Sequence, residues 1–187
     1  MKVVIVGGGA GGISTASNIR EINKKIEIMV LTRDDKVAYS PCAIPYVLSG
    51  TISSFDDIIM RTPEDYKNKD IDVIIGAEVT AVDSDNKTVT YDKDNEKIVI
   101  DYDKLVFATG GNPFRPPMDG LDLEGVFQIR NIADGVKVQE YAKNIESALV
   151  TGAGFCEIRV NWCTSTLPLS IAKSSNLPAG VDVEIKL

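Results

Sequence analysis

Two features of the chain carry chemistry in their residue types and spacing. The first is the run Gly7-Gly8-Gly9-Ala10-Gly11-Gly12, which supplies G-x-G-x-x-G at Gly7, Gly9 and Gly12, directly between an apolar run and a stretch with helical spacing. In such a turn the first glycine permits the tight reversal and the second lets the backbone approach a pyrophosphate. The third lets helix and strand pack closely, and the helix start attracts the anion. A dinucleotide is the natural ligand. The second feature is Cys42, within Ala38-Tyr39-Ser40-Pro41-Cys42-Ala43-Ile44-Pro45-Tyr46. Pro45 suits the first turn of a helix beginning just beyond the cysteine, and the positive end of a helix favours thiolate, the form that attacks disulfides or reacts with peroxide and flavin. The bland alternative is a small buried hydrophobe.

Much else is excluded. The chain has no histidine, which removes the usual general base, the commonest metal ligand and every Ser-His or Cys-His nucleophile. Cys42, Cys156 and Cys163 match neither a zinc site nor a disulfide framework, so no metal is expected. The formal charge of −7 has the wrong sign for a general nucleic-acid or anionic-membrane binder. The run Val3 to Val6 is too short for a signal peptide or a membrane span, which points to the cytoplasm. With 44% hydrophobic and 25% charged residues in 187 positions, neither disorder nor a fibrous repeat is suggested, and one packed core is the default.

The elements that must position these residues follow from the pattern. Lys2 to Val6 is apolar, Ala10 to Ile22 has helical spacing through Ile13, Ala16 and Ile19, and Ile26 to Leu31 is strand-like again. This βαβ unit implies parallel strands with a right-handed crossover and a helix-covered sheet. Thr62-Pro63-Glu64-Asp65 predicts a short helix to about Lys69, with Thr62 as its cap. Ile71 to Ile75 and Leu105 to Ala108 read as buried strands. Glu78 to Val82, Thr88 to Tyr91 and Lys97 to Ile100 read as an antiparallel meander beside the main sheet. Asn112 to Gly120 is a proline-rich excursion. Ala133 to Lys143 reads as helix and Ala148 to Thr151 as a further strand.

One partner of the glycine loop is missing. About twenty residues past the turn, an acid is expected for the adenosine ribose, and Thr32 and Arg33 stand there, followed by Asp34. Thr32 retains the capacity for one hydrogen bond, and Arg33 or Asp34 are the substitutes.

Taken together, Gly7 to Gly12, Tyr39-Ser40-Pro41-Cys42-Ala43-Ile44-Pro45-Tyr46, Thr62-Pro63-Glu64 and Ala108-Thr109-Gly110 resemble the single-cysteine branch of the pyridine nucleotide-disulfide oxidoreductases. That branch includes coenzyme A-disulfide reductases and NADH oxidases. The resemblance covers roughly residues 1 to 155. It implies a Rossmann-like α/β FAD-binding domain, with FAD held by Gly7, Gly9, Ala10, Gly11 and Gly12. It also implies contacts from Thr32 and Arg33, adenine contacts from the backbone near Val79, Thr109 and Gly110 near the cofactor, and Cys42 close to the flavin as the catalytic thiol. The implied acceptor is a small-molecule disulfide such as that of coenzyme A, or oxygen, and the implied assembly is a homodimer. In peroxidase and water-forming oxidase members a histidine occupies the position of Ala10, so the sulfenate branch is disfavoured. At positions where coenzyme A-disulfide reductases contact substrate, this chain has Ser14, Asn18, Glu21 and Ala38, and Glu21 would repel coenzyme A phosphates.

Ala148-Leu149-Val150-Thr151-Gly152-Ala153-Gly154-Phe155 resembles the entry to the family's NAD domain. Cys156-Glu157 then occupies the ground of the third glycine, where a carboxylate would obstruct packing and repel a pyrophosphate, so the NAD(P)H site is expected to be lost. From Cys156 onward the pattern fails, and the expectation is a frameshift or truncation, with residues 156–187 an unpatterned tail. A natural short form, whose strand-like run Val181 to Leu187 adds to the sheet, is the alternative. Relative to the full-length family the domain is incomplete. The functional expectation is the FAD-binding portion of an NAD(P)H-dependent flavin disulfide reductase or NADH oxidase, with Cys42 exchanging electrons with the flavin. The competing readings are a non-catalytic flavin- or nucleotide-binding module and a small NAD-dependent dehydrogenase. The latter is disfavoured because neither a histidine nor a Tyr-x-x-x-Lys pair is present.

Overall fold

The structure, a computed structural model, describes residues 1–115, 117, 119–145, 147–151 and 182–186. The chain divides into two units: Met1–Tyr39 with Ile59–Gly111, and Ser40–Ile58 with Asn112–Leu187.

The first unit opens with β1 (Lys2–Val6), α1 (Ala10–Ile22) and β2 (Glu27–Leu31). Its main sheet is completed by β3 (Ile71–Ile74) and by the last strand of the unit, Lys104–Phe107, in the order β3, β2, β1 and that last strand, all parallel. Two residues of β1, Val3 and Ile5, face a cluster with Ile13 and Ala16 of α1, Ile28, Val30, Tyr66 and Ile71. Val4, between them, belongs to a second cluster with Leu31, Ala77, Val89 and Tyr91. This alternation is the period of two along a strand, and it places α1 on one face of the sheet. The other face receives the antiparallel meander β4 (Glu78–Asp83), β5 (Thr88–Lys93) and β6 (Glu96–Asp101). Asp94 and Asn95, both with positive φ (52° and 64°), form the two-residue reversal between β5 and β6, the turn chemistry that tight hairpins select. The last sheet strand is therefore β7, and it corrects one expectation. Leu105 to Ala108 was expected to be buried, yet β7 pairs only with β1 at the sheet margin and Phe107 is 65% exposed.

The short helix α3 (Pro63–Lys67) begins as the sequence predicts. Thr62 Oγ1 accepts from the Asp65 N–H, the Thr62 N–H donates to Asp65 Oδ2 at 2.8 Å, and Pro63 occupies the first turn, a capping box. Those hydrogen bonds hold the Asp65 carboxyl below the usual aspartate range. At the far end of α1, Arg20 is 6% exposed and, among the described residues, has no acidic partner. Its guanidinium donates to the carbonyls of Lys24 (2.7 Å), Lys69 (3.1 Å) and Asp70 (2.5 Å), fastening the end of α1 to the turn before β3. A planar, five-donor group suits several divergent carbonyls at once.

The second unit contains a 3-10 turn at Pro41–Ala43 leading into α2 (Ile44–Leu48), then α4 (Ile132–Ala142), and β8 (Ser147–Thr151) paired antiparallel with β9 (Asp182–Lys186). Within the terminal run, read as an addition to the main sheet, Asp182–Lys186 instead forms a separate two-stranded sheet with β8. By pairing, the two runs satisfy each other's backbone groups.

Candidate functional site

The chain order of the sheet locates the site. From β1 the chain crosses to β2 on one side, whereas β7 adds on the other, so the loop after β1 lies where the direction of winding reverses. In open parallel sheets, ligands occupy the crevice beyond the carboxyl ends of the strands at that reversal. Three segments meet there. The Gly7 N–H donates to Leu31 O at 2.8 Å and the Ala108 N–H donates to Val6 O at 2.7 Å, so the loop leaves β1 anchored on both neighbours.

The glycines of the loop are not equivalent. Gly7 has φ +117°, and a β-carbon there would collide with the carbonyl oxygen of Ala108 and lie 3.1 Å from the Thr109 nitrogen. A β-carbon on Gly12 would collide with the carbonyl oxygen of Gly7, the close approach of helix to strand. A β-carbon on Gly8 would lie 2.9 Å from the Thr32 side chain. Gly11 has only an ordinary contact with Ala108, at 3.9 Å. Gly9 differs from all of these: its φ of −75° is open to any residue, and a β-carbon there would meet nothing within 4 Å. Protein packing therefore demands glycine at positions 7, 8 and 12 but not at 9 or 11, and at 9 it leaves the space open. Gly9 is also the cap of α1 and makes no side-chain cap bond, so among the described residues no capping side chain takes up the first N–H groups of that helix. A helix start with uncommitted donors and no side chain in front of it is built for an anion arriving from outside.

Beyond β2, the Thr32 N–H donates to Ile74 O at 3.0 Å and the Thr32 carbonyl accepts from Ala77 N at 2.8 Å. Its side chain is buried against Gly8. Arg33 is exposed, with its Nε 4.0 Å from Asp34 Oδ1. A cavity of about 350 Å³ opens beside it, bounded by Gly76, Glu78 and the β5–β6 turn. Across the strands that flank that turn Lys97 Nζ lies 3.1 Å from Asp92 Oδ1, an ion pair that lacks the alignment of a hydrogen bond. Val79 pairs with Tyr91, and the ladder then skips Thr80 before resuming at Ala81, a β-bulge that frees backbone beside Val79. Gly110, following Thr109, has φ +67°. Thus Gly7, Gly8, Gly12, Thr32 and Thr109 gather at one end of the sheet, with Gly9, Ala10 and Gly11 opening α1 there.

Cys42 belongs to the second unit and is exposed. It lies inside the 3-10 turn rather than at the cap of α2, and the Ala43 N–H donates to Ser40 O at 3.0 Å. Pro45 stands in the first turn of α2 as expected. With only five residues, that helix places few aligned peptide dipoles behind the thiol. The expectations for Gly152 to Glu157, including Cys156, and for Cys163 lie outside the described residues. Among the described residues no cluster of three or more metal-ligating side chains occurs, and no helix is long and apolar enough to cross a membrane.

A parallel sheet wound about a glycine loop, with that loop at the reversal point, defines a dinucleotide-binding α/β protein. The sequence narrows the class further: residues 1–160 match the pyridine nucleotide-disulphide oxidoreductase family, and the chain belongs to it. It is 50% identical over 158 residues to an NADH oxidase of Methanocaldococcus jannaschii, an alignment spanning 82% of this chain and 35% of that protein. It is 32% identical over 164 residues to the coenzyme A disulfide reductase of Staphylococcus haemolyticus, spanning 85% and 37% respectively. Among solved structures, the water-forming NADH oxidase of Lactobacillus brevis bound to NADH superposes with a TM-score of 0.77 at 27% identity, covering 86% of this chain and 36% of that one. The chain therefore spans little more than a third of these relatives, which are NAD(P)H-dependent disulfide reductases and NADH oxidases. The family is FAD- and NAD(P)H-dependent.

Three residues of consequence were not legible beforehand. Gly8 looks redundant within a run of glycines until Thr32 is placed beside it. Arg20 reads as an ordinary charge on the exposed end of an amphipathic helix. Gly135, inside α4, carried a signal that could have been read, since an isolated glycine in a helical pattern usually has a packing reason.

Proposed function

We propose that this chain is the FAD-binding portion of an NAD(P)H-dependent flavin disulfide reductase or NADH oxidase, with Cys42 as the thiol that exchanges electrons with the flavin. The observation that carries the reading is Gly9, a glycine that internal packing does not require, at the start of a helix whose first donors no side chain takes up.

In this reading the backbone of Gly7, Gly9, Ala10, Gly11 and Gly12 holds the pyrophosphate. Thr32 shapes the loop through Gly8, Arg33 faces the ribose end, and the bulged backbone at Val79 contacts adenine. Thr109 and Gly110 close the crevice on the β7 side. Bound FAD supplies two-electron chemistry between a nicotinamide and a thiol. Cys42, as thiolate, attacks the acceptor disulfide; one sulfur joins Cys42 and the other leaves as a thiolate. Ala10 offers no acid or base beside the loop, which favours disulfide over sulfenate chemistry at Cys42. Coenzyme A disulfide or a related persulfide is the acceptor class suggested by the relatives, with oxygen the alternative. Residues 1–155 are assigned to the flavin-binding portion.

The test is the visible spectrum of the purified chain titrated with FAD and then with NADH. Retained, saturable flavin absorbance is expected. Absence of uptake would overturn the assignment. Uptake without bleaching by NADH would place the nicotinamide site elsewhere than in this chain.

A further inference from the structure

We propose that Gly135 of α4 is a positioning residue for Cys42, setting the turn that carries the thiol through Ile44 and Phe55. The inference rests on the reading of Cys42 as a redox thiol and goes beyond it by naming what fixes that thiol in place.

The 3-10 turn Pro41–Ala43 runs without a break into α2, so Ile44, the first residue of α2, is one residue from Ala43 and two from Cys42. The turn is held at two points. On its N-terminal side the Ser40 N–H donates to Ile58 O at 3.2 Å. On its C-terminal side Ile44 is 1% exposed and seats against α4. The seat is Gly135. A β-carbon at that position would lie 2.8 and 2.9 Å from ring carbons of Phe55 and 3.1 Å from Cγ2 of Ile44. The first two distances are closer than packed carbons tolerate, and both Phe55 and Ile44 are buried, so neither can swing into solvent. Glycine inside a helix is destabilising relative to alanine. At Gly135 that cost is offset by the close approach of α4 to α2. The N-terminal end of α4 is well made: Asn131 Oδ1 accepts from the Asp134 N–H at 2.9 Å, and the Asn131 N–H donates to Asp134 Oδ2 at 3.2 Å. A properly capped helix with a missing side chain at its contact point is a rigid backstop, and the geometry of Cys42 follows from it.

The experiment uses the full chain in a background carrying Cys156→Ser and Cys163→Ser, so that Cys42 is the sole thiol. Exchange with an aromatic disulfide is followed across neutral and alkaline pH. Cys42 thiolate attacks one sulfur, a mixed disulfide forms as the original S–S bond breaks, and the released aryl thiolate is counted by its absorbance. Gly135→Ala should shift the exchange rate at each pH by about tenfold while circular dichroism reports a folded chain. Adding Phe55→Leu, which reopens space for the new methyl group, should return the rate to within about threefold of the parent. If Gly135→Ala does not fold, Ile44→Leu removes the γ2-methyl from the same seat and should shift the rate severalfold. A folded Gly135→Ala chain with the parent's rate, a shift that Phe55→Leu leaves uncorrected, or an unaltered Ile44→Leu rate overturns the proposal. If the parent's Cys42 exchanges no faster than an unstructured cysteine peptide while the variants still differ from it, the redox reading fails and the positioning role stands.

Discussion

Gly8 and Thr32 are in the closest contact their residue types allow: a single β-carbon on Gly8 would stand 2.9 Å from both Cβ and Cγ2 of Thr32. The Thr32 backbone is committed on both sides, through Ile74 O and Ala77 N, so the threonine has little room to retreat. The glycine loop is therefore shaped by the end of β2 as well as by β1, and the residue in the place of the usual ribose acid has a steric task.

Gly8→Ala should destabilise the fold by about 1–3 kcal/mol, the usual range for forcing an extra methyl group into a packed site. The urea midpoint of the flavin-free chain measures it. A midpoint equal to the parent's would show that Thr32 yields freely.

Gly9→Ala is expected to behave in the opposite way. Its β-carbon points into open space, and the loss of a glycine cap costs about 1 kcal/mol or less. Affinity for FAD should fall at least about tenfold, because the new methyl group stands where the pyrophosphate must approach. Flavin titration and urea unfolding of the same sample separate the two effects.

Arg20→Met should cost about 2–4 kcal/mol, since it leaves the carbonyls of Lys24, Lys69 and Asp70 without their buried donor. Arg20→Lys should recover only part of the loss, because an ammonium cannot span three divergent acceptors in one plane. Thermal unfolding of the three chains gives the order directly.

The box at the start of α3 predicts a pH dependence with a defined sign. The Asp65 carboxyl is lowered chiefly by the Thr62 backbone N–H and then by the Thr62 hydroxyl. A carboxyl lowered by folding adds stability above its unfolded pKa, and that contribution is lost as pH falls through the folded value. The parent should therefore exceed Asp65→Asn in unfolding midpoint at neutral pH, with the gap closing as the pH falls below the ordinary aspartate range. Asp83, lowered first by the backbone and then by the side chain of Asn86, should titrate in the same direction. A gap that is constant with pH would remove the carboxylate's part in the cap.

Much of the first unit could be read from local pattern. The bounds of β1 and α1 match the expected segments, as does the Thr62 cap, because strand periodicity, a glycine turn and a capping box are encoded within a few residues. The position of β7 at the sheet margin was not legible, since an apolar run of four does not say whether one neighbour or two will pair with it. The buried role of Arg20 was equally hidden, because its acceptors at Lys69 and Asp70 lie about fifty residues away and are backbone atoms of no distinctive type. The glycine loop was legible as a motif. Which of its glycines packing requires and which it leaves open emerged only from their neighbours.

The contact between α2 and α4 joins segments that begin at Ile44 and Ile132. A ribosome adding about 5–20 residues per second needs roughly four to eighteen seconds to travel between them. During that interval the peptide bearing Cys42 has left the polymerising site, while the helix that will brace it does not yet exist. The thiol thus meets its surroundings in an unbraced form before it meets them in a braced one.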